Sequence, residues 1–439
     1  MTDPKKALPA DELAALRAEI DCVDRDMAAL FERRMRAVAA IADYKRANGL
    51  PILDAAREEA VIRKNVGLIG DAELRPYYAK LLCDLMRTSR SYQGALCADA
   101  TEDKAALLPV RLADAEYVIR VERGALARVG ELIPLDRRVL IVTDEGVPAA
   151  YAAAVAAAAK APTTVTVPQG EGSKSLAMLE RLLSAMLDAG FTRTDAVVAV
   201  GGGVCGDLAG LAAATYMRGI DFYNIPTTLL AQVDSSIGGK TAVNLAGVKN
   251  SVGVFHQPRA VLIDPDVLST LPPRQISSGL AEVIKMAATS DRDLFERMER
   301  EGFSPIEDII VGALRIKRSV VEQDEREGGL RRVLNFGHTL GHGYESAAAL
   351  SGLTHGECVG LGMLRMAAPE PRERIRALLT RAGLPTVTDL PFEEVTAPMA
   401  HDKKADGDKI RYIYVERIGE FSERCEPIGT LIARLREEW

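Results

Sequence analysis

Leu13, Leu16, Ile20, Val23, Met27, Leu30, Phe31, Val38 and Ile41 recur at three- and four-residue spacing. A 3.6-residue turn brings such positions onto one face, so the repeat predicts a single long helix with one apolar stripe. Asn48-Gly49 is a good stop for it. A second helix is expected from Asp54 to Gly67 and a third from Asp71 to Tyr92. The first, at roughly 35 residues and about 50 Å, is too long for a lone small domain to cover. A partner is therefore expected, in a homodimer or a larger homo-oligomer.

Residues 94–110 lose this periodicity and read as a linker. Beyond Val110, short β-rich runs (Tyr117–Val121, Val139–Thr143, Thr164–Val167, Ala196–Val200) alternate with helical runs (Leu176–Ala189, Gly206–Ala214). That is the βαβ rhythm of a parallel sheet. From about Leu268 helical signals dominate, and Pro369 and Pro371 lie where a helix would break. The expected chain is multidomain: an all-α three-helix domain over 1–93, a linker over 94–110, an α/β domain over 111–267 and an α-rich domain over 268–439.

Composition narrows the partners. The chain has 439 residues, 48% hydrophobic and 27% charged, which excludes a disordered polymer. Aromatic residues make up 5%, with one Trp, too few for a base-stacking wall. Net charge is −7, and the first 100 residues balance at 16 Lys+Arg against 16 Asp+Glu, so the acidity lies downstream. Such a chain is not expected to bind nucleic acid; a local basic cluster would serve a small anion. The Ala-rich stretch at Tyr151–Ala159 is too short to span a bilayer, and MTDPKKALPADE has no hydrophobic signal core. Six cysteines without a C-x-x-C pair suit a reduced cytoplasm, so a cytoplasmic location without membrane attachment is expected.

In the helical N-terminal part the charges carry the information. Arg34 and Lys45 are eleven positions apart, hence within roughly 20° of one face and about 16 Å apart along the axis. Arg17 falls about 100° away, so one helix cannot aim all three cations at one pocket, whereas two antiparallel copies could. Asp54, Arg57 and Glu58 open the second helix, and Ser89 and Gln93 close the third. Together they suit a small dianion; a solvated face with i,i+4 pairs is the plainer reading.

LxxLRxxIDxxD at Leu13–Asp24, followed by the RR, the K and the D-x-x-R-E, resembles the all-helical chorismate mutases over most of 11–93. The resemblance implies an intertwined dimer with Arg17 reaching in from the partner chain and Arg34, Lys45, Asp54, Arg57, Glu58, Ser89 and Gln93 lining the pocket. It implies the pericyclic conversion of chorismate to prephenate. Arginines would hold two carboxylates in a compact conformer, and Lys45 with Glu58 and Gln93 would stabilise charge on the ether oxygen. Glu58 would do so protonated or otherwise tuned.

In the middle of the chain, Ala196–Val200 runs into Gly201, Gly202, Gly203 and then Gly206-Asp207 ahead of a helical run. Glycines at 201, 203 and 206 fit G-x-G-x-x-G, where bare backbone approaches a pyrophosphate at a helix N-terminus. Gln169–Lys174, Pro226-Thr227-Thr228, Val233–Thr241 and Lys249-Asn250 supply further polar turns; each alone could be a solvated loop. All five histidines lie in the second half, with His338 and His342 on one helix face and His355-Gly-Glu357 close behind. Glu282 opens an apolar helix, where a carboxylate needs a partner. Two His and one Glu are ligands for a catalytic Zn²⁺ with an open position; the residues alone leave open which two histidines bind.

GGGVCGDLAG, TYMRG, PTTLLAQVDSSIGGKT, KNSVGVFHQP, STLP, GLAEVIK, DEREGGLRRVLNFGHTLGH, HGE and DKK together resemble 3-dehydroquinate synthase, from about residue 111 to the end. The resemblance assigns one divalent metal, Zn²⁺ or Co²⁺, to Glu282, His338 and His355. It assigns NAD to Asp144, Glu171, Lys174, Gly202, Gly203, Val204, Asp207, Thr227, Thr228, Lys249 and Thr270. Substrate contacts would be Asp234, Lys240, Asn250, Lys285, Lys317, Arg331, Asn335, His342 and Lys403 or Lys404, with Arg218 from the neighbouring subunit. The implied reaction turns 3-deoxy-D-arabino-heptulosonate 7-phosphate into 3-dehydroquinate and phosphate. NAD⁺ would take and return a hydride, and the metal would polarise the C4 and C5 oxygens. The two implied reactions are not consecutive, so direct channelling is not expected. Three alternative readings stand beside this one: a non-catalytic N-terminal sensor, a related sugar-phosphate cyclase of secondary metabolism, and a metal-dependent alcohol or glycerol dehydrogenase.

Overall fold

The computed structural model describes residues 10–47, 55–98, 105–348, 352–401, 405–406 and 409–439. The chain divides into two units, Met1–Lys104 and Ala105–Trp439. The first is three helices: α1 (Ala10–Ala47), α2 (Ala55–Val66) and α3 (Arg75–Ala98). Val38 and Ala42 of α1 are buried, as are Leu82, Met86 and Ser89 of α3, so among the described residues the covered part of α1 is its C-terminal part. The rest of the stripe, from Leu13 to Phe31, remains 42–59% exposed at its large apolar positions.

The second unit opens with an antiparallel hairpin of β1 (Ala106–Arg111) and β2 (Glu116–Val121). The span read as a linker is thus occupied at both ends: α3 continues to Ala98 and β1 begins at Ala106. Valine- and isoleucine-rich runs then lay down a parallel sheet. Its remaining members are α4 (Val129–Leu132), β3 (Arg138–Asp144), α5 (Ala149–Ala158), β4 (Ala161–Val167), α6 (Leu176–Asp188), β5 (Ala196–Gly201), α7 (Gly203–Thr215) and β6 (Asp221–Pro226). A two-stranded excursion follows, β7 (Lys240–Leu245) with β8 (Val248–Phe255), before β9 (Ala260–Ile263) returns to the sheet. The order is β1-β2-β9-β6-β5-β3-β4, parallel except for the β1–β2 pair. Period-two alternation divides the core between the faces. Leu140 and Val142 of β3 pack with Leu182, Met186 and Leu208, whereas Val139 and Ile141 pack with Val155, Val198 and Val200.

The helical part comprises α8 (Pro273–Ser290), α9 (Arg292–Glu301), α10 (Ile306–Gln323), α11 (His338–Ala347), α12 (His355–Arg365), α13 (Pro369–Arg381) and α14 (Phe392–Thr396). Asp291 ends α8 and caps α9, its carboxylate accepting from Leu294 N at 2.9 Å. As the prolines require, α12 stops at Arg365 and Pro369 opens α13 at a position that needs no N–H. This α-rich part also contains strands that the sequence reading did not locate. β10 (Ala405–Asp406), β11 (Lys409–Arg417) and β12 (Glu420–Pro427) form a second antiparallel sheet before α15 (Ile428–Glu437). The Lys409–Val415 stretch alternates too weakly with its charged neighbours to stand out as a strand. One apolar core runs from Val110, Tyr117 and Ile119 of the hairpin through Val261 and Ile263 into α8, α10 and α12. The cleft lies along this seam.

Candidate active sites

The β5–α7 turn is built for close approach. A Cβ on Gly201 would meet the Cys205 Sγ at 2.5 Å, and one on Gly203 the Ser235 Oγ at 2.9 Å. Gly202 caps α7, Val204 lies in its first turn, and Thr227 N donates to Gly201 O at 2.9 Å, tying the following Thr227-Thr228 turn to the same edge. The strand order reverses between β3 and β5, and ligands of such sheets sit beyond the strand ends at that point. Asp144, the last residue of β3, accepts there from Gly146 N at 2.8 Å and from Cys205 Sγ at 3.2 Å. Lys174 pairs with Asp207 at 2.6 Å and also donates to Asn250. Burial pushes the Asp207 carboxyl up to about 6, against the opposing pull of Lys174. Glu171 accepts from Asn244 at 2.9 Å, and the Thr270 hydroxyl lies 3.0 Å from that of Tyr151.

Beside this edge opens a cavity of about 570 Å³. Asp234, Lys240, Asn250, Lys285, Lys317, Arg331, Asn335 and His342 line it, all expected at the substrate, with Asp207, His338 and His355. Lys317 reaches Asp234 at 2.5 Å, and Lys240 pairs with Glu327. Burial pushes Asp234 up, but the Lys317 and Lys285 ammoniums outweigh it and hold the carboxyl below its ordinary value. Lys317 is itself lowered by burial. The Arg331 guanidinium is buried, with both terminal nitrogens 3.3 Å from Gly238 O and a further bond to Glu325 O. Gly238 has φ +93°, and a Cβ there would stand 2.3 Å from Arg331 Nη2, so this turn requires glycine.

At the cavity floor the first residues of α11 and α12 meet the middle of α8. One ligand atom each from Glu282, His338 and His355 lie within 4.8 Å of one another. Glu282 Oε1 is 3.4 Å from His355 Nε2 and 3.9 Å from His338 Nε2. The carboxylate is fully buried beside the Lys285 ammonium, yet neither oxygen has a hydrogen bond of good geometry. Both rings turn Nδ1 away: His338 toward Phe336 O at 3.2 Å, His355 toward Glu345 Oε1 at 2.7 Å. Burial lowers the His355 imidazole, but Glu282 and Glu345 together pull it up to about 10, so the pocket demands positive charge there. Two imidazole Nε2 atoms and an under-bonded carboxylate form a donor set that fits a divalent cation.

The other expected residues fall as follows. Arg218 is exposed on a left-handed turn after α7 and does not line the cavity. Lys249 faces Glu345 at 3.3 Å. Lys403 and Lys404 lie outside the described residues. His256 sets its ring against Ile220 O, away from the cavity. Glu327 and Glu345 escaped notice in the sequence. Glu327 sits inside the quoted DEREGG block and holds both Lys240 and Asn335, the latter at 2.8 Å. Glu345 follows His338 by seven positions, a spacing that shares its helix face.

In the N-terminal unit, Arg34 donates to the buried Ser89 hydroxyl, joining α1 to α3. Arg17 and Arg57 are exposed, and Lys45 is half-buried on the same helix as Arg34. Asp54 lies outside the described residues, as do the Glu58 and Gln93 side chains.

Fold and cleft define an α/β enzyme whose glycine-lined sheet edge adjoins a metal-ready, polar cavity. Family models match as chorismate mutase type II over residues 16–94, 3-dehydroquinate synthase N-terminal over 164–278 and 3-dehydroquinate synthase C-terminal over 279–405. A 3-dehydroquinate synthase of Enterococcus faecalis is 44% identical over 353 residues, covering 75% of this chain and 99% of the relative. One of Rhodospirillum rubrum is 43% identical over 356 residues, covering 73% and 92%. The chain belongs to the 3-dehydroquinate synthase family and carries a chorismate mutase domain ahead of it; both enzymes are present in one polypeptide.

Among solved structures, 2-deoxy-scyllo-inosose synthase complexed with carbaglucose-6-phosphate, NAD⁺ and Co²⁺ is 28% identical, with a TM-score of 0.69 over 76% of this chain and 99% of that one. The 2-epi-5-epi-valiolone synthase of Streptomyces hygroscopicus subsp. jinggangensis, with NAD⁺ and Zn²⁺ bound, is 27% identical at 0.67, covering 75% and 99%. A probable glycerol dehydrogenase of Sinorhizobium meliloti, at 16% and 0.52 over 72% and 94%, shares the fold alone. The related-cyclase and dehydrogenase readings are thus less favoured than the synthase, to which the 44% identity points. Among the described residues no helix is long and apolar enough to cross a membrane.

Proposed function

We propose that the 105–439 unit converts 3-deoxy-D-arabino-heptulosonate 7-phosphate to 3-dehydroquinate and phosphate with NAD and one divalent metal, Zn²⁺ or Co²⁺, and that the N-terminal unit converts chorismate to prephenate. One observation carries the first half: Glu282, whose carboxylate oxygens lack a well-formed hydrogen bond, converges with His338 and His355 beside a cavity lined by Lys240, Lys285, Lys317 and Arg331. When bound, NAD⁺ supplies a reversible hydride acceptor and the metal supplies Lewis acidity at adjacent substrate oxygens. Glu282, His338 and His355 hold the ion. Asp144, Glu171, Lys174, Gly202, Gly203, Val204, Asp207, Thr227, Thr228, Lys249 and Thr270 hold the dinucleotide along the strand ends.

The chain's own part is to grip and orient. Lys240, Lys317, Arg331 and Lys403 receive the phosphate and carboxylate; Lys240 and Arg331 do so by exchanging their present acid and carbonyl partners for substrate oxygens. Asn250, Asn335 and His342 fix the hydroxyls, and Asp234 holds Lys317 in place. Arg218 reaches a neighbouring copy's cavity. In the mutase, Arg34, Lys45, Arg57, Ser89 and Gln93, with Asp54 and Glu58, hold the substrate's carboxylates and ether oxygen, and Arg17 comes from the partner. The exposed Leu13–Phe31 stripe supports this dimer, because seven large apolar positions in water leave a surface that a second copy can cover. Among the described residues, the free thiols of Cys22, Cys83, Cys205, Cys358 and Cys425 suit the cytoplasm.

The test is to supply each substrate to the purified protein and follow phosphate and prephenate. Both products are expected. Absence of phosphate release in the presence of NAD⁺ and Co²⁺ would refute the synthase assignment, and absence of prephenate the mutase one.

A further inference from the structure

Glu345 stands near the end of α11, on the face that carries His338 and His342. Its side chain is 17% exposed and is shared between two partners: Oε1 accepts from His355 Nδ1 at 2.7 Å, and Oε2 lies 3.3 Å from the Lys249 ammonium. His338 differs, since its Nδ1 meets the main-chain carbonyl of Phe336. A backbone acceptor is fixed by the fold, whereas a carboxylate shared with a lysine responds to whatever that lysine binds.

We propose that Glu345 is a positioning residue: it holds His355 in the tautomer that presents Nε2 to the ion and, through Lys249, couples ion binding to dinucleotide binding. The inference rests on the metal and dinucleotide assignments proposed above. An imidazole offers a lone pair from one nitrogen only while the other carries the proton, and an acceptor at that proton fixes which is which. A carboxylate acceptor also raises the basicity of the opposite nitrogen. Lys249 competes for the same carboxylate, and with its side chain 58% exposed it is open to an arriving pyrophosphate. Once an anion draws Lys249 away, the full charge of Glu345 falls to His355. The ion is then held more tightly when dinucleotide is bound, and by linkage the dinucleotide gains by the same factor when the ion is bound.

The experiment titrates metal-stripped full-length protein with Co²⁺, with and without NAD⁺, by ligand-field absorption. The unaltered protein is expected to bind Co²⁺ several-fold more tightly when NAD⁺ is present. Glu345→Ala is expected to weaken Co²⁺ binding by about ten- to a hundredfold. Glu345→Gln keeps the shape and one acceptor oxygen, so it guards against misfolding. It is expected to bind Co²⁺ more weakly than the unaltered protein, with one affinity whether or not NAD⁺ is present. Unchanged Co²⁺ affinity in both variants, or a NAD⁺ effect that survives Glu345→Gln, overturns the proposal. His355→Ala separates the two claims: if it binds Co²⁺ as the unaltered protein does, the metal assignment itself fails, whatever Glu345 does.

Discussion

Gly356 lies so close to Ser278 that a Cβ on the glycine would sit 2.2 Å from the Ser278 carbonyl oxygen, and its own N–H donates to the Ser278 hydroxyl at 3.0 Å. This contact pins the start of α12, and with it His355, against α8, which carries Glu282. Gly362 does the same on the other flank, where a Cβ would meet Gly337 O at 2.0 Å, one residue before His338. Convergence of the three candidate ligands is therefore a matter of missing side chains as much as of the ligands themselves.

Gly356→Ala should force α12 away from α8. Overpacking of this kind costs about 1–3 kcal/mol. The expected result is a lower thermal midpoint together with weakened Co²⁺ binding, read by calorimetry and metal titration. Native Co²⁺ affinity in a folded Gly356→Ala protein would show that the helix contact does not set the ligand geometry.

The two activities should separate by mutation. Glu282→Gln or His355→Ala is expected to reduce phosphate release by about a hundredfold or more while prephenate formation persists. Arg34→Ala, which removes the guanidinium bonded to Ser89, is expected to do the reverse. Phosphate assays and absorbance of chorismate loss check both arms; release that survives either ligand change contradicts the metal assignment.

Asp207 gives a pH signature. Its native value of about 6 lies above the ordinary 3.8, so the native state binds this proton more tightly than the unfolded chain. The resulting stability is fully present below about pH 4 and is lost as pH rises through 6. Asp207→Asn removes the titration, and its stability relative to the parent should climb between pH 4 and 7 by on the order of 2 kcal/mol. Loss of the Lys174 partner adds an offset that is constant over this range, so the slope of paired urea melts is the quantity to read. A flat difference would mean that burial does not raise Asp207.

Ile20 is 59% exposed and Met27 48%, both in the uncovered stripe of α1. Ile20→Lys combined with Met27→Lys should break the proposed dimer of the mutase unit. Sedimentation is expected to show a smaller assembly, with prephenate formation falling alongside. An unchanged assembly and undiminished mutase activity would show that the stripe is not the contact.

Much of this was legible in the residues. Short β-rich runs located β2, β3, β4 and β5 within a few positions, and the stripe located α1, because both report surface that must be buried. Histidine spacing and a carboxylate in an apolar helix pointed to the Glu282–His338–His355 group, although which two imidazoles converge depends on where α12 lies, and no local pattern encodes that. The β11–β12 hairpin was missed because Tyr412–Val415 is an apolar run without alternation, and β12 places charges on consecutive positions at Glu423 and Arg424. Glu327 and Glu345 were missed because a lone acid in a charged stretch looks like solvent-facing charge until its partner, distant in sequence, is known. The boundary between α3 and β1 was placed too generously because Gly94–Ala98 lacks a stripe yet continues the helix.

The apolar core that runs unbroken from the β1–β2 hairpin into α8, α10 and α12 makes the sheet and the helices one melting unit. Severing the polypeptide near residue 267 would leave two pieces with bare aliphatic flanks, neither able to stand alone. Lesions deep in the helices should accordingly be felt as a slackened hold on the proposed dinucleotide, far from where they were made.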